Sequence, residues 1–193
     1  PDIQQVESKN TIQNFSLISQ FLSAAINSSQ TITTLGFTDY SRGKSPSLDV
    51  PEIIRTTIKS IILNNCCSDM VNSVAFIIDQ LPAPIESFTL ACHSYNQTDS
   101  ETVFKAISTS YNLQKLTSLA FSHLNFAVFP MKAFSSLCSS LDNLECLEIS
   151  HINIDGSQII EAACADAPKI RKLILKGMKF ENEWKIQKTF NLP

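Results

Sequence analysis

The chain has 193 residues, enough for one domain with a sizeable core, of which 44% are hydrophobic and 17% charged. A net charge of −3 excludes a global attraction to nucleic acid or to membranes. No apolar run approaches the roughly 18 residues of a membrane-spanning helix, and Pro1 opens the chain without Met or a signal-like apolar region.

Taken in chain order, the sequence repeats itself. A partial unit begins at Ile3 and Val6, and residues 11–29 read as a helix. The first clear unit is "ITTLGFTDY", with apolar or aromatic residues at Ile32, Leu35, Phe37 and Tyr40, offsets 0, 3, 5 and 8. A short helix is expected over 50–57, with Pro51 suited to a first turn. The pattern returns as Ile58, Ile61, Leu63 and Cys66, followed by a helical stretch over 69–81. It returns again as Ile85, Phe88, Leu90 and His93, with a helix over 100–111 in which Phe104, Ile107 and Tyr111 share helical spacing and Asp99 or Ser100 is the cap.

Leu116, Leu119, Phe121 and Leu124 make the next unit, followed by a helix over 129–141. Leu144, Leu147, Ile149 and Ile152 make another, with a helix over 156–167 that places Ile159, Ala163 and Ala167 on one face and Ser157 at its cap. The last clear unit is Ile170, Leu173, Leu175 and Met178, with a strand at 173–175 followed by "ENEWKIQKTF".

Units start 26, 27, 31, 28 and 26 residues apart, a period that signals stacked repeats. Offsets 3 and 5 enclose one outward residue, so each unit opens with a short strand that has one face inward. Such a strand cannot bury its apolar face alone. Stacking strand on strand and helix on helix makes a shared core, with parallel pairing through right-handed crossovers.

These units resemble leucine-rich repeats, LxxLxL followed three residues on by an apolar or small residue, over about residues 30–180. Their length is similar to the ribonuclease-inhibitor class, also seen in the actin-regulatory CARMIL family. The position after LxxLxL that is usually Asn or Cys is Tyr40, Cys66, His93, Leu124, Ile152 and Met178 here. The piece "AFSSLCSSLDNLECLEI" is also similar to BspA-like repeats, whose period is shorter. The resemblance implies an α/β, right-handed leucine-rich-repeat solenoid (a horseshoe), with parallel strands on the concave face and helices on the convex face. It implies one domain over 1–193, with about six repeats starting near 32, 58, 85, 116, 144 and 170 and a partial repeat over 1–31. A fragment of a longer array is expected; the alternative makes the 11–29 helix and the Trp184/Phe190 segment the caps.

The outward strand positions form the candidate partner-binding face: Thr38, Asn64, Thr89, Ser122, His123, Glu148, His151, Arg171, Lys172 and Lys176. The face is small and neutral and becomes charged only towards its C-terminal end. The register lines up Cys92, His123 and His151, with Glu148 nearby, which are zinc-ligand types set in a line rather than a tetrahedron. No metal and no cofactor are expected. From Lys169 to Pro193 there are seven Lys or Arg against two Asp or Glu. The readings of this end are an acidic partner, an anionic lipid, a further domain or a solvated strand edge that discourages pairing.

No G-x-S-x-G, Gly-rich phosphate loop or HExxH occurs, and the chain holds only four glycines. The six cysteines form no CxxC pair and read as reduced thiols of a cytoplasmic protein. The three sequons, at Asn14, Asn27 and Asn96, are what a Ser/Thr-rich chain produces by chance. The expectation is a non-catalytic scaffold that binds another protein and no nucleic acid, a cytoskeletal regulator if the CARMIL-like reading holds. The rivals are the targeting domain of a ubiquitin ligase or GTPase regulator, and a cell-surface adhesion array.

Overall fold

A computed structural model describes residues 5–9, 33–38, 58–64, 71, 75, 78–79, 84–91, 97–123, 129–152, 154–167, 169–180 and 183–191. The described chain is mixed α/β. Its strands are β1 (Gln5–Lys9), β2 (Thr34–Thr38), β3 (Ser60–Asn64), β4 (Ser87–Ala91), β5 (Ser118–Ser122), β6 (Cys146–Ser150), β7 (Lys172–Phe180) and β8 (Glu183–Asn191). Its helices are α1 (Gln97–Thr109), α2 (Met131–Ser140) and α3 (Gly156–Asp166), with a 3-10 turn at Leu113–Lys115.

All eight strands lie in one sheet in chain order. Pairing is parallel from β1 to β7 and antiparallel between β7 and β8. The register is uniform: Leu119, Leu147 and Leu173 lie side by side, as do Phe121, Ile149 and Leu175. In β3, β4 and β5 buried residues alternate with half-buried ones, as a strand with one face inward requires.

The residues at offset 0, Ile58, Ile85, Leu116, Leu144 and Ile170, are buried as well. Between offsets 0 and 3 the chain enters the sheet through a shared acceptor. The carbonyl of Glu86 takes N–H bonds from both Thr117 and Ser118, each at 3.0 Å, and the carbonyl of Glu145 takes them from Arg171 and Lys172 at 2.9 and 3.0 Å. Thr33, Lys59 and Thr117 do the same for the units that follow them.

Each helix turns its apolar stripe onto the inner face of the sheet. Val103, Phe104 and Ile107 of α1, Phe134, Leu137 and Cys138 of α2, and Ile159, Ala162 and Ala163 of α3 are buried in one continuous core. Phe104 is the hub of an aromatic cluster, with ring centroids 5.3 Å from Phe121, 5.9 Å from Phe129 and 6.0 Å from Phe134. Such tilted pairs contribute about 0.5–1.5 kcal/mol each beyond area burial. Val71, Ala75 and Ile78, in the segment expected to be helical over 69–81, have helical backbone and are buried.

The structure corrects several expectations. Helix α1 begins at Gln97, so Asp99 and Ser100 lie inside its first turn and neither is the cap. Tyr111 is not on the helix; it follows α1 and is 64% exposed. The cap of α3 is Asp155, whose carboxylate accepts from the Ser157 N–H at 3.0 Å, so Ser157 is the capped residue. Strand β7 runs to Phe180 instead of stopping at 175, and the Trp184/Phe190 segment is the strand β8. Strand β7 therefore is not an open edge, and Lys172 and Lys176 lie beside paired backbone opposite Asn191 and Gln187. The segments 11–29 and 50–57, the corner residues Tyr40, Cys66, His93 and Leu124, and Cys67 lie outside the described residues. Among the described residues, no helix is long and apolar enough to cross a membrane.

Candidate functional site

The face of the sheet turned away from the helices is a set of columns, each made of equivalent residues on successive strands. The central column is Gly36, Ile62, Thr89, Ala120, Glu148 and Ile174, paired in register from β2 to β7. From Ile62 onward these residues are half-buried. The next column is Thr38, Asn64, Ala91, Ser122, Ser150 and Lys176. Asn64, Ala91 and Ser122 are half-buried, whereas Ser150 is only 4% exposed. On the other side lie Ser60, Ser87, Ser118, Cys146 and Lys172. The columns start on β1 with Glu7 and Lys9, in register with Gly36 and Thr38. From β2 to β5 their residues are uncharged and, apart from Ile62, small, and Glu148 on β6 is the next charge met along them.

That charge is paired. Lys176 Nζ donates to Glu148 Oε1 at 2.6 Å, across β6 and β7 and one step along the strand. The two side chains are 35% and 29% exposed, so water screens the pair and it contributes at most about 1 kcal/mol. Lys172 and Arg171 are exposed, and among the described residues neither enters an ion pair. Lys169, also exposed, donates to Asn143 Oδ1 at 3.2 Å.

At the C-terminal end of the columns the structure adds a feature. His123, His151 and Gly177 occupy equivalent positions, offset 7, and all three have left-handed backbone, with φ of 54°, 53° and 57°. Their geometry extends the ladder by one rung: His123 N–H donates to Ser150 O at 3.0 Å and His151 N–H to Lys176 O at 2.8 Å. A left-handed residue also breaks the strict alternation of the strand. The following residues, Ile152 and Met178, then turn inward and are buried. This step is what the spacing 0, 3, 5 and 8 encodes.

The imidazoles of His123 and His151 stack, with centroids 4.4 Å apart and planes 5° from parallel. Beyond them Gly177 leaves room for His151, since a Cβ there would lie 2.7 Å from its Cδ2. Face-to-face rings direct their nitrogen lone pairs along parallel planes and do not converge on one metal ion. Glu148 is held by Lys176, and Cys92 lies outside the described residues, as do Asp39 and Asn65. Among the described residues, no three His, Cys, Asp or Glu side chains gather to hold a metal.

The offset-7 column carried a signal that reading by hydrophobic spacing passes over. It runs Asp39, Asn65, Cys92, His123, His151 and Gly177. Five of these six belong to the types that most readily adopt positive φ. A second feature, also absent from the expectation, ties neighbouring units together away from the face. Asp79 Oδ1 accepts from Ser110 Oγ at 2.6 Å and from Asn112 N–H at 3.0 Å, while Asn112 Nδ2 donates to Ile78 O at 2.8 Å.

Three described cysteines carry free thiols. Cys138 is buried in α2, and burial, aided by the nearby Asp166 carboxylate, pushes its thiol up to about 12. Cys146 is half-buried on the open face, and Cys164 is exposed on α3.

Comparison of the chain with protein-family models and with curated proteins finds no match.

Proposed function

We propose that the protein is a leucine-rich-repeat solenoid that acts as a non-catalytic scaffold, holding another protein on the face of its sheet turned away from α1, α2 and α3. One observation carries this reading: the LxxLxL positions of successive units stand in register across β2–β7, while a half-buried central column from Ile62 to Ile174 is left on the opposite side. A stack in which each unit meets only its neighbours presents an extended surface of this kind. On β4 and β5 the Ser, Thr and Ala of this face let a partner's backbone approach closely.

A cytoskeletal partner rests on the CARMIL-like repeat length alone.

The test is a photo-reactive amino acid placed singly at Thr89, at Ala120, and at the exposed helix positions Lys105 and Lys132. The expected result is one partner protein captured from both sheet positions and from neither helix position. Equal capture from the helix positions, or none from the sheet, overturns the reading.

A further inference from the structure

Strand β7 differs from the strands before it. Its outward residues are Lys172, Ile174 and Lys176: an exposed cation, a half-buried apolar side chain and a half-buried cation. The two lysines stand four residues apart on one strand, which is about 13 Å at 3.3 Å per residue. Arg171 adds an exposed positive charge beside Lys172, offset by the exposed Glu145 of the preceding unit, whose carbonyl accepts the Arg171 N–H at 2.9 Å. The flanking columns offer little competing charge. On the β8 side the register partners of Lys172 and Ile174 are Asn191 and Thr189, and on the β6 side Glu148 is the one carboxylate among Cys146, Glu148 and Ser150.

Glu148 also shows how the site works. Its carboxylate already sits 2.6 Å from Lys176 Nζ, so a carboxylate is received at that end of the strand, and Lys172 has the same chemistry with no such partner among the described residues.

We infer that this end of the face takes an extended acidic segment of a protein partner, one carboxylate meeting Lys172, a second displacing Glu148 from Lys176, and an apolar side chain between them resting on Ile174. The inference rests on the protein-binding reading above and narrows it. An extended chain presents residues i, i+2 and i+4 on one side, the same period as β7. The matching segment therefore carries Asp or Glu at i and i+4 and an apolar residue at i+2. The cationic file is one strand wide. That width suits a single chain better than a bilayer, whose attraction needs charge spread over several headgroups.

The test uses a labelled 12-residue peptide with two glutamates four positions apart and a valine midway, and a peptide of identical composition with the glutamates adjacent. Binding is read by fluorescence anisotropy at low and at physiological salt, and vesicles containing phosphatidylserine are assayed beside them. The spaced peptide is expected to bind more tightly than the adjacent one. Lys172→Glu with Lys176→Glu is expected to weaken it at least about tenfold, the milder Lys172→Gln to weaken it less, and Glu148→Gln to tighten it about threefold by freeing Lys176. Circular dichroism on each variant separates lost binding from lost folding. Equal binding of the two peptides, no loss in the double variant, weaker binding in Glu148→Gln, or a preference for vesicles overturns the inference. Capture at Thr89 and Ala120 that is indifferent to Lys172 and Lys176 overturns this inference while leaving the scaffold reading intact.

Discussion

His151 lies between two equivalents of itself: the ring of His123 stacks on one side, 4.4 Å away, and the bare Cα of Gly177 faces it on the other. The three residues share the left-handed backbone after which the chain turns inward, just past β5 and β6 and within β7. Glycine at the third position is therefore favoured by φ, which the two histidines adopt as well, and required by space.

These two effects can be separated by mutation. Gly177→Ala is expected to lower stability by about 1–3 kcal/mol, combining the left-handed penalty with the clash against His151. In a His151→Ala background the clash term vanishes and only the backbone term of about 1 kcal/mol remains. Urea denaturation of the four proteins in the cycle gives the coupling. Additive effects would show that the ring and the glycine do not interact.

Gly156 presents a purely steric case. It opens α3, and a Cβ there would overlap Cε1 and Cζ of Phe180, whose ring is buried. Gly156→Ala is expected to cost about 1–3 kcal/mol through overpacking, despite the better helix propensity of alanine. Pairing it with Phe180→Leu should recover part of that loss in the thermal midpoint.

Asp79 is exposed, yet removing it should hurt. Ser110 and Asn112 are buried at 2% and 4% exposure, and both depend on its Oδ1. Asp79→Ala removes the acceptor that a buried hydroxyl and a buried N–H share, an expected loss of about 1–3 kcal/mol. Asp79→Asn keeps an acceptor and should lose less. The ion pair Lys59–Glu86, at 2.9 Å with side chains 61% and 57% exposed, makes the contrast: Glu86→Gln should change chemical-denaturation stability by no more than about 0.5 kcal/mol.

The Cys138 thiol gives a pH dependence with a defined sign. Its folded-state value lies near 12, above the ordinary 9.0, because burial and then Asp166 disfavour the thiolate. The unfolded chain therefore loses this proton first. The thiol's contribution is fully present below pH 9.0 and falls by about 1.4 kcal/mol per pH unit as pH rises towards 12. The stability difference between the protein and Cys138→Ala should shrink over that window and stay flat below it. In the native protein at pH 8, a thiol reagent should label Cys164 well before Cys138.

Most of the fold was legible because the repeat constrains each residue many times. Leu119, Leu147 and Leu173 are fixed by the same spacing in three places, and the structure sets them side by side. Helix interiors were legible for the same reason, as the buried faces of α2 and α3 show. Helix ends were harder. Both Asp155 and Ser157 have capping side chains, and the choice between them depends on where the chain leaves the bridge between Asp155 and Lys179. Strand β8 breaks the repeat, so the template could not find it, although Trp184, Ile186 and Phe190 fall at the even spacing of a strand. On the open face, the repeat spacing puts Glu148 and Lys176 at outward strand positions, and the structure has both half-buried there. The spacing could not give the Glu148–Lys176 contact, which depends on a diagonal reach between columns, or the histidine stack, which depends on φ.

The uniform register of the strands and the unequal lengths between them have a consequence for how the chain tolerates change. Thirty-one residues separate Ile85 from Leu116 and twenty-six separate Leu144 from Ile170, yet the ladder keeps step. All slack is thus taken up on the helical side, where an extra residue between Asp142 and Asn143 would merely lengthen an exposed bend. The same insertion between Leu147 and His151 would exchange inside for outside along the rest of that strand. One flank of the molecule can drift in length, while the other is held to a fixed count.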